Sequence, residues 1–231
     1  MVEAIWGEHK SAGQIAAILL ELHRAGELGL VTRVSDDKAQ AVQRELVRLE
    51  RELQQGKTAA GPPITLQHHR NARCLVTPEP PAADPALGRV AVLGGGSSDL
   101  PVAAEAQLAL ACHGVASELV LDVGVAGLHR LLDQLEQLRR AEVLIACAGM
   151  EGALPTVLAG LLPQPVIGVP VAVGYGVSAG GKAALRGMLA SCSPGLTVVN
   201  INNGYGAAMA ALRILNSQRN AVRGAAAGDR R

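Results

Sequence analysis

From Arg89 onward the sequence repeats one pattern five times: a short run of Val, Leu, Ile or Ala, a polar turn with glycine, then a stretch of helical periodicity. Strands are expected at 89–94, 115–122, 142–148, 165–171 and 197–202. Helices are expected at about 99–112, 127–139, 152–162, 180–191 and 204–217. Short apolar strands alternating with helices pair in parallel, and a parallel sheet is covered on both faces. The pattern therefore predicts an α/β fold built on a doubly wound parallel sheet. Hydrophobic residues make up 49% of the chain while aromatics are 1% and Phe is absent, so the core must be aliphatic.

Ahead of that pattern, residues 1–76 read as a small N-terminal α/β subdomain. Ser11 caps a helix running to about Arg24, with Ile15, Ile18, Leu19 and Leu22 on one face. LGLVTRV is a strand, and Ser35 caps a longer charged helix ending near Gly56. ITLQHHRNARCLVT reads as a further strand or an extended crossing. His68 and His69 are adjacent in it, so on a strand they face opposite ways and cannot grip one metal ion together. Trp6, the sole tryptophan, is expected to pack in a core or an interface. TPEPPAADPALG, residues 77–88, holds four prolines and reads as a linker. The regular pattern then fills 89–217, and 218–231 reads as a flexible basic tail.

A net charge of +1 supplies no field to recruit nucleic acid or a membrane surface. No apolar run is long enough to span a bilayer, and the N-terminus lacks a secretory signal pattern. The four cysteines show neither CxxC pairing nor zinc-like spacing, so reduced thiols in a cytoplasmic protein are expected.

In a doubly wound sheet, ligands bind outside the carboxyl ends of the strands. The unusual residues of this sequence collect there. The first strand runs into Gly95, Gly96, Ser97, Ser98 and Asp99, and the second into Asp122 and, through GVAG, His129 and Arg130. The third leads to Gly149, Met150 and Glu151, the fourth to Tyr175, and the fifth to Asn200, Asn202 and Asn203. One such turn can be purely structural; five on one rim predict a small-molecule site. In GGGSSDLP the glycines let backbone approach a bound group, and the amides opening a helix favour an anion. The same turn also reads as a plain strand-to-helix connection capped by Ser98 or Asp99. It lacks the GxGxxG spacing, and GK[ST] is absent, so neither a dinucleotide fingerprint nor a P-loop is present.

GGGSSDLPV, AGMEGALP, PVIGVPV, VGYG, SCSPG and NINNGYGA, in that order, resemble the nickel-pincer-nucleotide biosynthesis carboxylase family, LarB. That family is similar to the phosphoribosylaminoimidazole carboxylase/mutase PurE. The resemblance runs from about 2 to 215 and includes EAIWGEHK and TRVSDDKA of the N-terminal unit, which the purine enzyme lacks. It implies a flavodoxin-like, PurE-like three-layer αβα domain that assembles into a homo-octamer, with no tightly bound organic cofactor. The implied reaction takes nicotinic acid adenine dinucleotide and CO2 or bicarbonate to pyridinium-3,5-biscarboxylic acid mononucleotide and AMP, with help from Mg2+. The family usually shows NIDNG where this chain has Asn202, and AGTSD where it has GGGSSD.

A pyridinium ring is electron-poor and does not attack CO2 unaided. A nucleophile added para to the ring nitrogen leaves an enamine whose meta carbon can, and a base must then remove that carbon's proton. Cys192, in SCSPG, matches the family's cysteine and is the expected nucleophile; without the resemblance, a free cysteine reads as a small buried hydrophobe. Cys147, near the end of the third strand, is the rival, while Cys74 and Cys112 read as structural, Cys112 late in an amphipathic helix. Glu151, a lone acid in a long apolar and glycine stretch, is the expected base, or else a first-turn glutamate favoured by the helix dipole. The resemblance makes Gly96, Ser97, Ser98 and Asp99 phosphate and ribose contacts, with Asp99 alternatively holding Mg2+. His129 and Arg130 lie in GLHR where the purine enzyme has SAHR, so Arg130 can contact phosphate and His129 can assist proton transfer. A solvated helix start fits both equally. Asp122, Gly149, Met150, Tyr175, Asn200 and Asn203 complete the expected rim. Two other functions share it: a purine-type aminoimidazole ribonucleotide carboxylase or mutase, which needs no cysteine, and a non-catalytic nucleotide-binding module.

Overall fold

The computed structural model describes residues 2–55 and 62–228, the last seven of these by backbone alone. The chain divides between Pro81 and Ala82 into two compact units.

The first unit runs β1 (Ala4–Trp6), α1 (Ala12–Arg24), β2 (Gly29–Thr32), α2 (Asp36–Gln55), β3 (Gln67–His69) and β4 (Cys74–Thr77). Its sheet has the order β1-β2-β4-β3, with β1 and β2 parallel and the other pairs antiparallel. Helix α1 opens with a reciprocal cap: the Ser11 hydroxyl oxygen accepts the Gln14 N–H at 3.2 Å, and the Gln14 side chain accepts the Ser11 N–H at 2.9 Å. Ile15 and Leu19 of α1 and Val42 and Leu46 of α2 pack with Val31 and Leu75 in one aliphatic core. The segment expected as one strand at 64–77 is a hairpin. Arg73 takes φ 53° and donates its N–H to the Arg70 carbonyl at 3.0 Å, closing a turn inside the apolar run. Strand β1 was hidden by its length of three residues. Trp6 stands on it half exposed, which excludes the core and leaves the interface of the two places expected for it. Gly56, where α2 was expected to end, lies outside the described residues.

The second unit runs β5 (Arg89–Gly94), α3 (Leu100–Ala111), β6 (Ala116–Val120), α4 (Leu128–Leu132), α5 (Leu135–Leu138) and β7 (Val143–Ala148). It continues through α6 (Ala153–Leu161), β8 (Val166–Pro170), α7 (Lys182–Leu189), β9 (Thr197–Val198) and α8 (Gly204–Gly228). All five strands are parallel in the order β6-β5-β7-β8-β9. Alternate strand residues serve opposite faces. Ala91, Leu93, Leu144 and Ala146 meet Leu131, Leu138, Leu154, Leu158 and Met188 from α4 to α7. Helices α3 and α8 pack on each other over the opposite face, where the alternate residues Val92, Ile145 and Cys147 point. This is the doubly wound, flavodoxin-like order, with its topological switch between β5 and β7.

Four expectations fail locally. The fifth strand shortens to two residues because asparagines take over the backbone bonding: the Asn200 side chain accepts the Ile201 N–H, and Asn202 adopts φ 56°. The helix expected at 127–139 splits into α4 and α5, where the Gln134 N–H turns to the Leu131 carbonyl. Helix α3 is buried around most of its surface, not amphipathic, because it lies between the sheet and α8. The helix α8 also continues past 217 to Gly228, in keeping with the high helix propensity of Ala and Arg.

Candidate active site

The turns after four strands enclose a cavity of about 250 Å³ at the switch between β5 and β7. Gly95, Gly96, Ser98 and Asp99 line it from β5, residues 124–126 from β6, Gly149, Met150 and Glu151 from β7, and Val173 from β8. Its size lies just below the roughly 300–1,000 Å³ typical of pockets that enclose a whole drug-sized ligand. It is therefore sized for part of such a ligand. Close backbone approach forms the walls. A Cβ on Gly124 would collide with the Gly95 carbonyl, and one on Gly149 with the Val173 carbonyl. Left-handed backbone gathers on this rim too: Asp122 at φ 61°, Met150 at φ 52° and Asn202 at φ 56°, each just past a strand end. Residues held there are strained, a feature that clusters at functional sites.

Asp99 organises the cavity floor. It is 4% exposed, its carboxylate accepts the Gly96 N–H at 2.9 Å, and it faces the backbone of Gly149 and Gly95, which favours its charged form, while the Gly95 N–H itself donates to the Cys147 carbonyl at 3.1 Å. One side chain thus ties the β5 turn to the β7 turn across the switch. Burial raises its carboxyl above the usual range, and the Gly96 N–H and the backbone of Gly149 and Gly95 oppose that rise. Among the described residues, no group of three or more His, Cys, Asp or Glu side chains is placed to hold a metal.

Glu151 is exposed and lines the cavity at its mouth, one residue before Gly152 at φ 71° and the start of α6. The other expected residues stand around the opening, not in it. Ser97 lies in the turn beside Ser98. Arg130 meets Asp122 at 3.2 Å in an exposed ion pair, and His129 is exposed beside it on α4. Such a surface pair contributes at most about 1 kcal/mol, leaving Arg130 free to exchange partners with an anion. Tyr175 is 78% exposed and Asn200 is exposed. Asn203 accepts the Gly206 N–H at 2.8 Å and so caps α8, while Asn202 accepts the Ala172 N–H at 2.8 Å. A carboxylate at 202 could accept that same bond, so the amide keeps the tie between the β8 and β9 turns without a charge.

Of the four cysteines, Cys192 alone is exposed. Cys147, the rival, is fully buried beneath the cavity, where burial first and then the Asp99 and Glu105 carboxylates push its thiol far up. Burial pushes Cys112 up to about 12. Neither can supply a thiolate near neutral pH. Cys192 lies on the loop between α7 and β9, beyond the cavity lining. Glu105 was missed by the sequence reading. It is 7% exposed on α3, and its Oε1 accepts the Tyr205 N–H at 2.9 Å in the first turn of α8. The available signal was an acid set inside the apolar run VAAEAQLALA, since a buried charge requires partners.

Residues 89–230 match the family described as AIR carboxylase, and residues 1–79 match the LarB/PurE-like N-terminal domain. The chain belongs to the AIR carboxylase family. It is a LarB-like member of the PurE superfamily, because it carries both parts in one chain. The LarB-like chain is 35% identical over 207 residues to the uncharacterized protein MJ0165 of Methanocaldococcus jannaschii, covering 89% of this chain and 75% of that one. The N5-carboxyaminoimidazole ribonucleotide mutase of the same organism is 37% identical over 136 residues, covering 54% of this chain and 78% of the mutase. The phosphoribosylaminoimidazole carboxylase of Candida albicans is 35% identical over 144 residues, 61% of this chain and 25% of that protein. A crystal structure of a PurE2 variant from Treponema denticola aligns with a TM-score of 0.45 at 22% identity, covering 61% of this chain and 92% of that one. The family is a carboxylase/mutase class of enzymes. No helix among the described residues is long and apolar enough to cross a membrane.

Proposed function

We propose that this chain carboxylates the pyridinium ring of nicotinic acid adenine dinucleotide and hydrolyses its phosphoanhydride. The products are pyridinium-3,5-biscarboxylic acid mononucleotide and AMP, a step toward a nickel-pincer nucleotide. The reading is carried by one combination: a LarB-like N-terminal unit joined to a catalytic domain whose one exposed cysteine is Cys192. The purine reaction calls for neither.

In this scheme the Cys192 thiolate adds para to the ring nitrogen, forming a C–S bond while the ring π electrons move onto nitrogen. The resulting enamine attacks CO2 from its meta carbon, forming the new C–C bond and leaving an iminium. Glu151 takes the proton from that carbon, which returns an electron pair to nitrogen; that pair then pushes back into the ring, expelling the thiolate and restoring the aromatic pyridinium. The cationic ring draws the thiolate to it, so the substrate itself assists the first step. Water added across the anhydride gives AMP. Ser98 and the amides after β5 are suited to the ribose and phosphate, with Arg130 at the opening to meet a further phosphate.

A cavity sized for part of the substrate, beside the exposed Tyr175 and the 96%-exposed Val177, supports a working homo-oligomer in which neighbours complete the enclosure. The resemblance points to an octamer. The test is mass spectrometry of purified protein with nicotinic acid adenine dinucleotide and bicarbonate. A mononucleotide heavier by one CO2 than nicotinic acid mononucleotide, with AMP released and an adduct on Cys192, is expected; unchanged dinucleotide refutes the reading. The identity to N5-carboxyaminoimidazole ribonucleotide mutases favours a purine-type activity as the second reading. Cys192→Ala separates the two, since a purine mutase reaction survives it.

A further inference from the structure

The loop that presents Cys192 is held from both sides by one residue of the neighbouring helix. The Thr156 hydroxyl donates to the Ser191 Oγ at 2.9 Å, and the Ser193 N–H donates to that same oxygen at 3.1 Å. The Ser193 hydroxyl in turn donates to the Thr156 carbonyl at 2.8 Å. Both chain neighbours of the cysteine are therefore fastened to Thr156. Thr156 is the fourth residue of α6, about 5 Å along the axis from Ala153, and α6 begins two residues after Glu151. Helix α7, which leads into the cysteine loop, is seated on the same turn. A Cβ on Gly187 would collide with the Glu151 carbonyl, and one on Gly152 with Ala184.

We propose that Thr156, Ser191 and Ser193 are positioning residues that set the Cys192 thiol relative to Glu151, using α6 as the common reference. This rests on the pyridinium carboxylase reading. None of the three lines the cavity, so none is suited to hold the substrate. Beyond Ser193 the loop passes through exposed Pro194 and Gly195, the latter at φ 83°, and nothing in that stretch restrains the cysteine as the two serines do. Attack on a ring carbon requires sulfur near 3–3.5 Å in line with the orbital. A freed loop keeps its thiol but samples that geometry less often, so the rate of the covalent step falls and substrate binding does not.

Two measurements on Thr156→Val, which keeps the shape of the side chain, test this. By amide hydrogen exchange, the Ser193 N–H, bonded to the Ser191 Oγ that Thr156 holds, should exchange about tenfold faster than in the wild type while β7 is unchanged. Unchanged exchange in the loop would show that the hydroxyl does not hold it and would overturn the role. In rapid-quench mass spectrometry with the dinucleotide and bicarbonate, formation of the Cys192 adduct should slow about tenfold at unchanged KM, with Thr156→Ser restoring it and Ser193→Ala slowing it likewise. A wild-type adduct rate in Thr156→Val, or a raised KM with kcat kept, overturns the role while leaving the pyridinium reading intact. An absent adduct in the wild-type protein overturns the pyridinium reading and the positioning role with it.

Discussion

Replacing Asp99 with alanine isolates the tie across the switch point. The carboxylate is 4% exposed, accepts the Gly96 N–H at 2.9 Å and faces the Gly149 backbone of the β7 turn. Alanine leaves the Gly96 N–H without its acceptor. A hydrogen bond contributes about 0.5–1.5 kcal/mol net, and a buried group left unpaired costs about 1–3 kcal/mol. With water entering part of the space, the local loss is about 1–3 kcal/mol. That is less than the 5–15 kcal/mol that typically holds a folded protein, so the variant should fold. Because the chain has two compact units, one global unfolding curve would blur the effect. Site-resolved hydrogen exchange reads it directly. The lost bond opens the Gly96 amide by about 1.4 kcal/mol, so it should exchange about tenfold faster, and Gly149, which faces the same carboxylate, should lose protection with it. The buried amides of Val92 and Ile145, inside β5 and β7, should not change. If Gly149 kept its wild-type protection, the carboxylate would not be joining the two turns. Asp99 would then be free for a ribose hydroxyl or a cation, and the description of the cavity floor would fail.

The same carboxyl sets a pH dependence. Burial raises its pKa above the usual 3.8, so its stabilising contribution is whole below that value and is lost as pH rises through the raised one. The stability difference between wild type and Asp99→Asn should therefore fall with rising pH just above the ordinary carboxyl range; a difference that grows there contradicts the desolvation argument. Thiol titration of the native protein should find one fast cysteine, lost in Cys192→Ser, with the other three reacting only in denaturant; fast labelling of Cys147 would contradict its burial. Glu151→Gln should retain dinucleotide binding by calorimetry while carboxylation drops by about 10²–10⁴-fold, and normal incorporation of labelled CO2 would remove Glu151 from the proton step.

Much of this protein is legible in its residues taken in order. The alternation of aliphatic strands with helices from Arg89 on forces a parallel sheet with two covered faces, because both the spacing and the all-apolar strands permit little else. The glycine and polar turns must then fall on one rim, and GGGSSD, AGMEG and NINNG do. Local chemistry also announced the Ser11 cap, since it involves residues three apart. What required the tertiary structure were facts about distant neighbours. Sequence leaves Cys147 as a rival to Cys192, and only its full burial against the sheet silences it. Asp99 reads in sequence as a ligand to phosphate or metal; its burial, the Gly96 N–H it accepts and the backbone of Gly149, fifty residues away, set it at the junction of two turns. Glu105 becomes the anchor of α8 only when Tyr205 is brought to it, and Thr156 gains meaning only beside Ser191 and Ser193. Periodicity depends on a residue's neighbours in the chain, whereas desolvation and hydrogen-bond pairing depend on which segments the fold brings together.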